Sequence, residues 1–296
     1  MRYLVIVSCI WAFSFPLIKH YLSGIVDNYF AILVRFVLAF IVFLPLMRFH
    51  TNLRLALKLM GIGALQIGVM YIFYYNAFLY ISASEVALFT IFTPFYVTLI
   101  YDICHRRLRS LYFISVAMAV FGAYIIRSGA IDSGFVIGFL LVQVANICFG
   151  AGQSLYKYTI EQEKVSNQAE VFGFFYLGAI IVGVLSFVTL GDVDKIPSFS
   201  LNSPQWIVLI YLGVIASGAG YFMWNKGVSM SDSGVVAIMN NAMIPLVVLV
   251  DWLFWGRQMQ SESLIKLICG GVVIFVSLAV HYWIMRWYNR TNLRRI

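Results

Sequence analysis

Long apolar runs alternate with short polar or charged breaks from one end of the chain to the other. These runs predict helices near 3–22, 28–47, 57–80, 85–104, 110–127, 134–157, 169–190, 205–228, 233–255 and 263–287. Each run offers about 20 mostly apolar residues, the length that crosses a hydrocarbon core roughly 30 Å thick. The longest break runs from Gly191 to Pro204 and carries Asp192, Asp194, Lys195 and two prolines, the composition of a surface loop. No break is long enough to fold as a soluble domain. The expected fold class is therefore all-α integral membrane, with ten transmembrane helices.

Composition supports that reading. The 296 residues are 62% hydrophobic and 11% charged, with a mean hydropathy of +0.91, where soluble domains carry about a quarter charged residues. A net charge of +8 would point to nucleic acid in a soluble protein, but here Lys and Arg gather in short loops and at the tail. With the N-terminus in the cytoplasm, fourteen of them fall inside and five (Lys19, Arg127, Lys195, Arg257, Lys266) outside, leaving Arg35 within a helix. This bias predicts a multi-pass protein of the cell (inner) membrane with both termini cytoplasmic. Cys9, Cys104, Cys148 and Cys269 show no CxxC spacing, which argues against disulfide and zinc frameworks. The first apolar run carries Trp11, Pro16 and Lys19 without a small-residue cleavage site and reads as a retained helix.

The two halves echo each other. Ile10-Trp11-Ala12-Phe13 through Lys19 parallels Cys148-Phe149-Gly150-Ala151 through Lys157, and Asn76 through Val86 parallels Asn225 through Val235, with Pro94 and Pro245 following at nearly equal distances. The expected units are a first five-helix repeat at 1–130 and a second at 131–296. Because five is odd, the second must be inverted relative to the first, and inverted repeats mark secondary transporters.

Trp11 to Lys19, Arg35-Phe36, Ser82-Ala83-Ser84 leading to Pro94, and Tyr221-Phe222-Met223-Trp224-Asn225 with the turn to Pro245 follow one another in an order that resembles a known group. The chain is similar along essentially its whole length to the ten-helix EamA-type branch of the drug/metabolite transporter superfamily. The resemblance implies alternating access, a substrate among amino acids, amines, purines or similar metabolites, and often export. It also implies that helix 2, and Arg35 with it, lies outside the central cavity. Members usually carry a Glu shortly after helices 4 and 9, whereas this chain has Asp102-Ile103-Cys104-His105 and Gly256-Arg257-Gln258 there, so no role of that Glu carries over.

The residues that stand out against lipid are candidates for the substrate site. Asn240 and Asn241, central in helix 9, would each forfeit roughly several kcal/mol facing hydrocarbon unpaired. Asn146 and Gln153 share a face of helix 6 with Gly150; interhelical hydrogen bonding is the alternative for all four amides. Trp11 lies deep in helix 1 rather than in an interfacial belt. Tyr71, Tyr74 and Tyr75 on helix 3, with Tyr221 and Trp224 on helix 8, could form flat aromatic walls, though most aromatics in such a chain are packing. The substrate-binding set read from the sequence is Trp11, Tyr75, Asn146, Gln153, Trp224, Asn240 and Asn241. Pro16, Pro94 and Pro245 free the carbonyls of Ala12, Thr90 and Asn241, either as ordinary kinks or as breaks that line a cavity.

Arg35 must pair, snorkel or line a cavity, and anchoring of helix 2 is the expected role. The acids Glu85, Asp102, Glu170 and Asp251 lie near helix ends, so proton coupling is unsupported; Asp102 and Asp251, which align between the halves, are its candidates. Without a fixed charge in the centre, the expected ligand is small and polar or amphipathic. Helix-end histidines and the lack of an HExxH motif argue against an enzyme. A channel is the alternative to a carrier, though it would want a continuous ring of charges or carbonyls. The expected partners are a small-molecule substrate and membrane lipid, with no nucleic acid, no cofactor and no metal, in a monomer or homodimer.

Overall fold

The computed structural model describes residues 2–104, 112–126, 133–198, 200, 203–231, 233–256 and 261–293. The described residues form helices joined by short turns. These are α1 (Arg2–Leu22), α2 (Asn28–Leu46), α3 (Leu53–Tyr80), α5 (Tyr112–Ile126), α6 (Ser133–Gln162), α7 (Ala169–Leu190), α8 (Pro204–Ser229), α9 (Ser233–Trp255) and α10 (Ser261–Leu293). Between α3 and α5, α4 consists of Ala83–Phe89, a 3-10 turn at Thr90–Phe92 and Thr93–Cys104. Among the described residues, six helices (α1, α2, α3, α6, α7 and α8) are long and apolar enough to cross a membrane, and α4, α9 and α10 contain shorter apolar stretches.

Local chemistry sets several boundaries. Asp27 caps α2 by accepting from the Phe30 amide at 2.7 Å. Asn52 accepts from the Arg54 amide at 2.9 Å, which starts α3 at Leu53, four residues ahead of the predicted start at 57. Ser82 and Glu85 form a reciprocal capping box at the head of α4. At the end of α6, Lys164 adopts a left-handed conformation with φ 49°, and the helix runs past its apolar stretch to Gln162.

Three helices contain π-helical turns, at Ile18–Leu22 in α1, Ala64–Val69 in α3 and Tyr211–Ala219 in α8. A π-turn inserts an extra residue and loosens the backbone ladder, so carbonyls become available to side-chain donors. In α8, the Ala216 carbonyl accepts from the Trp11 indole at 2.8 Å and the Ser217 carbonyl from the Tyr176 hydroxyl at 2.8 Å.

Helix α1 packs on α8 and α9, α2 on α7 and α8, α3 on α6 and α7, and α4 on α6 and α9, while α5 pairs with α10. Small residues permit the closest crossing: a Cβ on Gly63 would lie 1.8 Å from the Phe175 carbonyl oxygen, and one on Gly178 would lie 1.8 Å from that of Met60. Backbone approach of this kind is how helices gain packing energy when lipid removes the hydrophobic drive between them. The outward faces expose large apolar side chains such as Leu185, Val188, Trp252, Phe254 and Trp283. In water these would be a liability, but against acyl chains they are the solvated surface.

The ends of the bundle are tied by polar groups. At the end that holds Trp255, His20 Nε2 lies 3.0 Å from Asp251 and the Ser84 hydroxyl donates to Asp251 at 3.2 Å, while Lys19 donates to the Phe78 carbonyl. At the opposite end Lys157 donates to the Ser231 carbonyl at 2.8 Å. Asp251 is thus tied into one end of the bundle; the Asp102 side chain lies outside the described part of the structure.

Candidate functional site

A cavity of about 70 Å³ lies among α1, α2, α3, α4, α6, α8 and α9. Its lining includes Trp11 and Phe15 of α1, Arg35 of α2, Tyr71 and Tyr74 of α3, Thr93 of α4, Asn146 and Phe149 of α6, Tyr221 of α8, and Asn240 of α9.

The π-turn of α8 brings Ser217 beside α2, and the turn following the π-segment of α3 carries Tyr71 and Tyr75. Together they surround Arg35, which is 1% exposed. Its Nη1 donates to the Tyr75 hydroxyl at 2.7 Å, its Nη2 to the Tyr71 hydroxyl at 2.7 Å and to the Ser217 hydroxyl at 2.9 Å, and its Nε to Ser217 at 3.1 Å. The guanidinium also lies over the Tyr71 ring, 4.5 Å from its centroid. A guanidinium has five N–H donors; these bonds occupy four and leave one on Nη1. All partners are neutral hydroxyls, and no carboxylate pairs with Arg35 among the described residues. Hydroxyls satisfy its hydrogen bonds but leave its charge uncompensated. The expectation that Arg35 lies away from the cavity, which would then hold no fixed charge, is corrected: the guanidinium forms part of the wall.

The other candidates divide between lining and support. Trp11, Asn146 and Asn240 face the cavity. Asn146 also bridges the break in α4, donating to the Phe89 carbonyl at 2.8 Å and accepting from Thr93 at 3.3 Å. It does both jobs that its sequence position allows. Asn240 is 8% exposed and forms no hydrogen bond with a described residue. Tyr75, Gln153, Trp224 and Asn241 lie outside the lining. Tyr75 is turned toward Arg35, Gln153 accepts from the Trp224 indole at 3.2 Å, and Trp224 packs behind Trp11 with ring centroids 5.1 Å apart and the planes tilted by 33°. Asn241 is buried one residue further around α9.

The prolines also differ in their effects. Pro94 follows the 3-10 turn of α4 and Pro16 precedes the π-turn of α1. Around Pro245, α9 continues as one helix and the ring is exposed. Sequence reasoning placed Tyr71, Tyr74 and Tyr221 only among possible walls, and did not single out Thr93 or Phe149. The signal for Arg35 was present: a cation seven residues into an apolar helix has few alternatives to a cavity or a partner, and no acid stands at a matching depth.

Comparison with known proteins agrees with this architecture. The EamA-like transporter family model matches residues 2–128 and 136–281. A biotin transporter of Salmonella typhimurium is 44% identical over 283 residues, covering 95% of this chain and 92% of that protein. A biotin transporter of Escherichia coli K12 is 45% identical over 286 residues, with the same coverages of 95% and 92%. A probable biotin transporter of Pseudomonas aeruginosa is 41% identical over 298 residues, covering 100% of this chain and 99% of the relative. A solved crystal structure with 15% sequence identity superposes with a TM-score of 0.63 over 97% of this chain and 96% of the other, a likeness of fold alone. Family match and relatives alike are transporters rather than enzymes, and they make this chain a multi-pass membrane transporter of a small metabolite: it belongs to the EamA-like transporter family.

Proposed function

We propose that this chain is a secondary carrier that moves a small amphipathic monocarboxylate of biotin's class across the bacterial inner membrane by alternating access. The carrying observation is Arg35, a fully buried guanidinium at the cavity wall with neutral partners only. A carboxylate entering the cavity supplies the missing counter-charge and can reach the remaining Nη1 donor and the Tyr71 hydroxyl, where charge-assisted bonds are strong. Trp11, Phe15 and Phe149 offer apolar surface for the rest of such a ligand. The names of the relatives support biotin itself as the first substrate to test.

The transport mode rests on two inverted repeats, 1–130 and 131–296, and ten crossings with both termini cytoplasmic. Packing supports this arrangement. The contact of α1 with α9 has its counterpart in α6 with α4, that of α1 with α8 in α6 with α3, and that of α2 with α8 in α7 with α3. Lys19 and Lys157, matched between the repeats, reach carbonyls at opposite ends of the bundle. The π-turns of α3 and α8 also fall at corresponding positions. Each end could then open by breaking one set of contacts while the other holds.

Purified protein in liposomes should take up labelled biotin, with excess biotin competing and biotin methyl ester failing to compete. Uptake no faster than in protein-free liposomes, with and without a pH gradient, would sink the substrate assignment. A periplasm-active reporter fused after Ile296 should be silent; its activity there would overturn the orientation.

A further inference from the structure

We infer that the cavity is bipolar, with Arg35 and Tyr71 holding the carboxylate and Asn240 taking the N–H and C=O edge of a neutral cyclic urea or amide at the other end of the same molecule. This deepens the monocarboxylate reading and rests on it. Arg35 comes from α2, which packs on α7 and α8, whereas Asn240 comes from α9, which packs on α1 and α4. Both reach the one cavity, so its polar groups enter from different walls, with Trp11, Phe15 and Met243 supplying apolar lining.

Asn240 stands apart from the other amides of the site. Asn146 spends its donors on the Phe89 carbonyl and Gln143, and its oxygen accepts from Thr93. Asn240 is more than nine-tenths buried, lines the cavity and forms no hydrogen bond with a described residue. A side-chain amide presents a donor and an acceptor in one plane. The complement that satisfies both at once is another planar group with N–H beside C=O, as in a cyclic urea or lactam. A thioether, disulfide or hydrocarbon ring placed there leaves a buried amide unpaired, the situation in which a hydrogen-bonding site rejects an analogue most strongly. Asn240 therefore sets specificity among carboxylates, while Arg35 sets the requirement for a carboxylate.

Four ligands separate the poles: biotin carries both, desthiobiotin keeps both without the thioether, lipoate keeps the carboxylate without the urea, and biotinol keeps the urea without the carboxylate. Affinities from ligand-induced thermal shift should place biotin and desthiobiotin within about threefold of each other and lipoate at least about tenfold weaker for the wild type, since each factor of ten reflects a modest bonding difference. Asn240→Leu should weaken biotin about tenfold and bring lipoate level with it, leaving the preference for biotin over biotinol unchanged. Retention of the wild-type biotin-to-lipoate ratio in Asn240→Leu overturns the inference, as does equal wild-type affinity for the two. Asn240→Ser is the second variant if the leucine variant fails to fold, and wild-type ratios decide if both fail. A wild type that binds none of the four overturns the monocarboxylate reading and this inference together.

Discussion

On the wall built by α2, α3 and α8, Arg35 engages three hydroxyls that use four of its five donors, whereas on α9 Asn240, also buried, has no described hydrogen-bond partner. The difference follows from what each group costs when empty. A bare guanidinium away from water is expensive enough that the fold must solvate it before any ligand arrives. A neutral amide costs less than a bare charge while water can reach it, and its full cost falls only when a ligand without a matching edge displaces that water. On the proposed reading, the charged wall serves stability and binding at once and the neutral wall discriminates.

Arg35→Ala should break this comparison most severely. Truncating one partner of a buried charge contact costs about 2–5 kcal/mol, so labelled-biotin uptake should fall by more than about 30-fold. Arg35→Lys keeps the charge but loses the planar fork and should retain measurable uptake with a lower melting temperature. Unchanged initial rates in folded Arg35→Ala would remove the carboxylate contact from α2.

Trp11→Ala ranks next, because the indole lines the cavity, packs on Trp224 and donates to Ala216. Loss of a buried Trp costs about 3–5 kcal/mol in packed cores, so both thermal stability and uptake should drop. Trp11→Phe should recover most of the stability while leaving the Ala216 carbonyl unpaired.

The tyrosines sharpen the contrast between solvating Arg35 and contacting ligand. Tyr75→Phe removes the only acceptor for Nη1 among the described residues and should cost about 1–3 kcal/mol of stability, read by thermal denaturation, with a smaller effect on uptake. Tyr71→Phe leaves Nη2 bonded to Ser217, so its stability loss should be the lesser and its uptake loss the greater. The same ranking in both assays would merge the two roles. The smallest effect is expected for Asn241→Ala, with initial uptake rates within about threefold of wild type, because Asn241 is buried off the cavity.

The bundle was legible in the sequence to a large degree because lipid demands it. Every backbone polar group in hydrocarbon must bond internally, so a run of about 20 apolar residues has little choice but helix. The predicted limits at 169–190 and 233–255 coincide with Ala169–Leu190 and Ser233–Trp255. Where limits moved, at Leu53 and Gln162, capping by Asn52 and continuation past the apolar stretch were responsible. The site was legible only in part. Trp11, Asn146 and Asn240 betrayed themselves as polar or amphipathic groups at depth, but so did Gln153 and Asn241, and depth alone does not say which way a side chain points. The π-turns carry no marking in hydropathy, yet one of them brings Ser217 to Arg35.

What the sequence by itself determined is the solvent of this protein, its helical class and the set of residues that lipid could not accept unpaired, since these depend on transfer cost and backbone bonding, which are local. Only the tertiary structure decided how those residues share their partners. The phase of α2 made Arg35 part of the cavity wall rather than a distant anchor, the phase of α9 left Asn240 facing the cavity while Asn241 lies outside its lining, and the π-turns of α3 and α8 lie beside the Tyr75 and Ser217 that solvate Arg35. That decision depends on several helices at once, because a rotation of one residue on α9 moves a side chain by about 100° without changing a single hydropathy value.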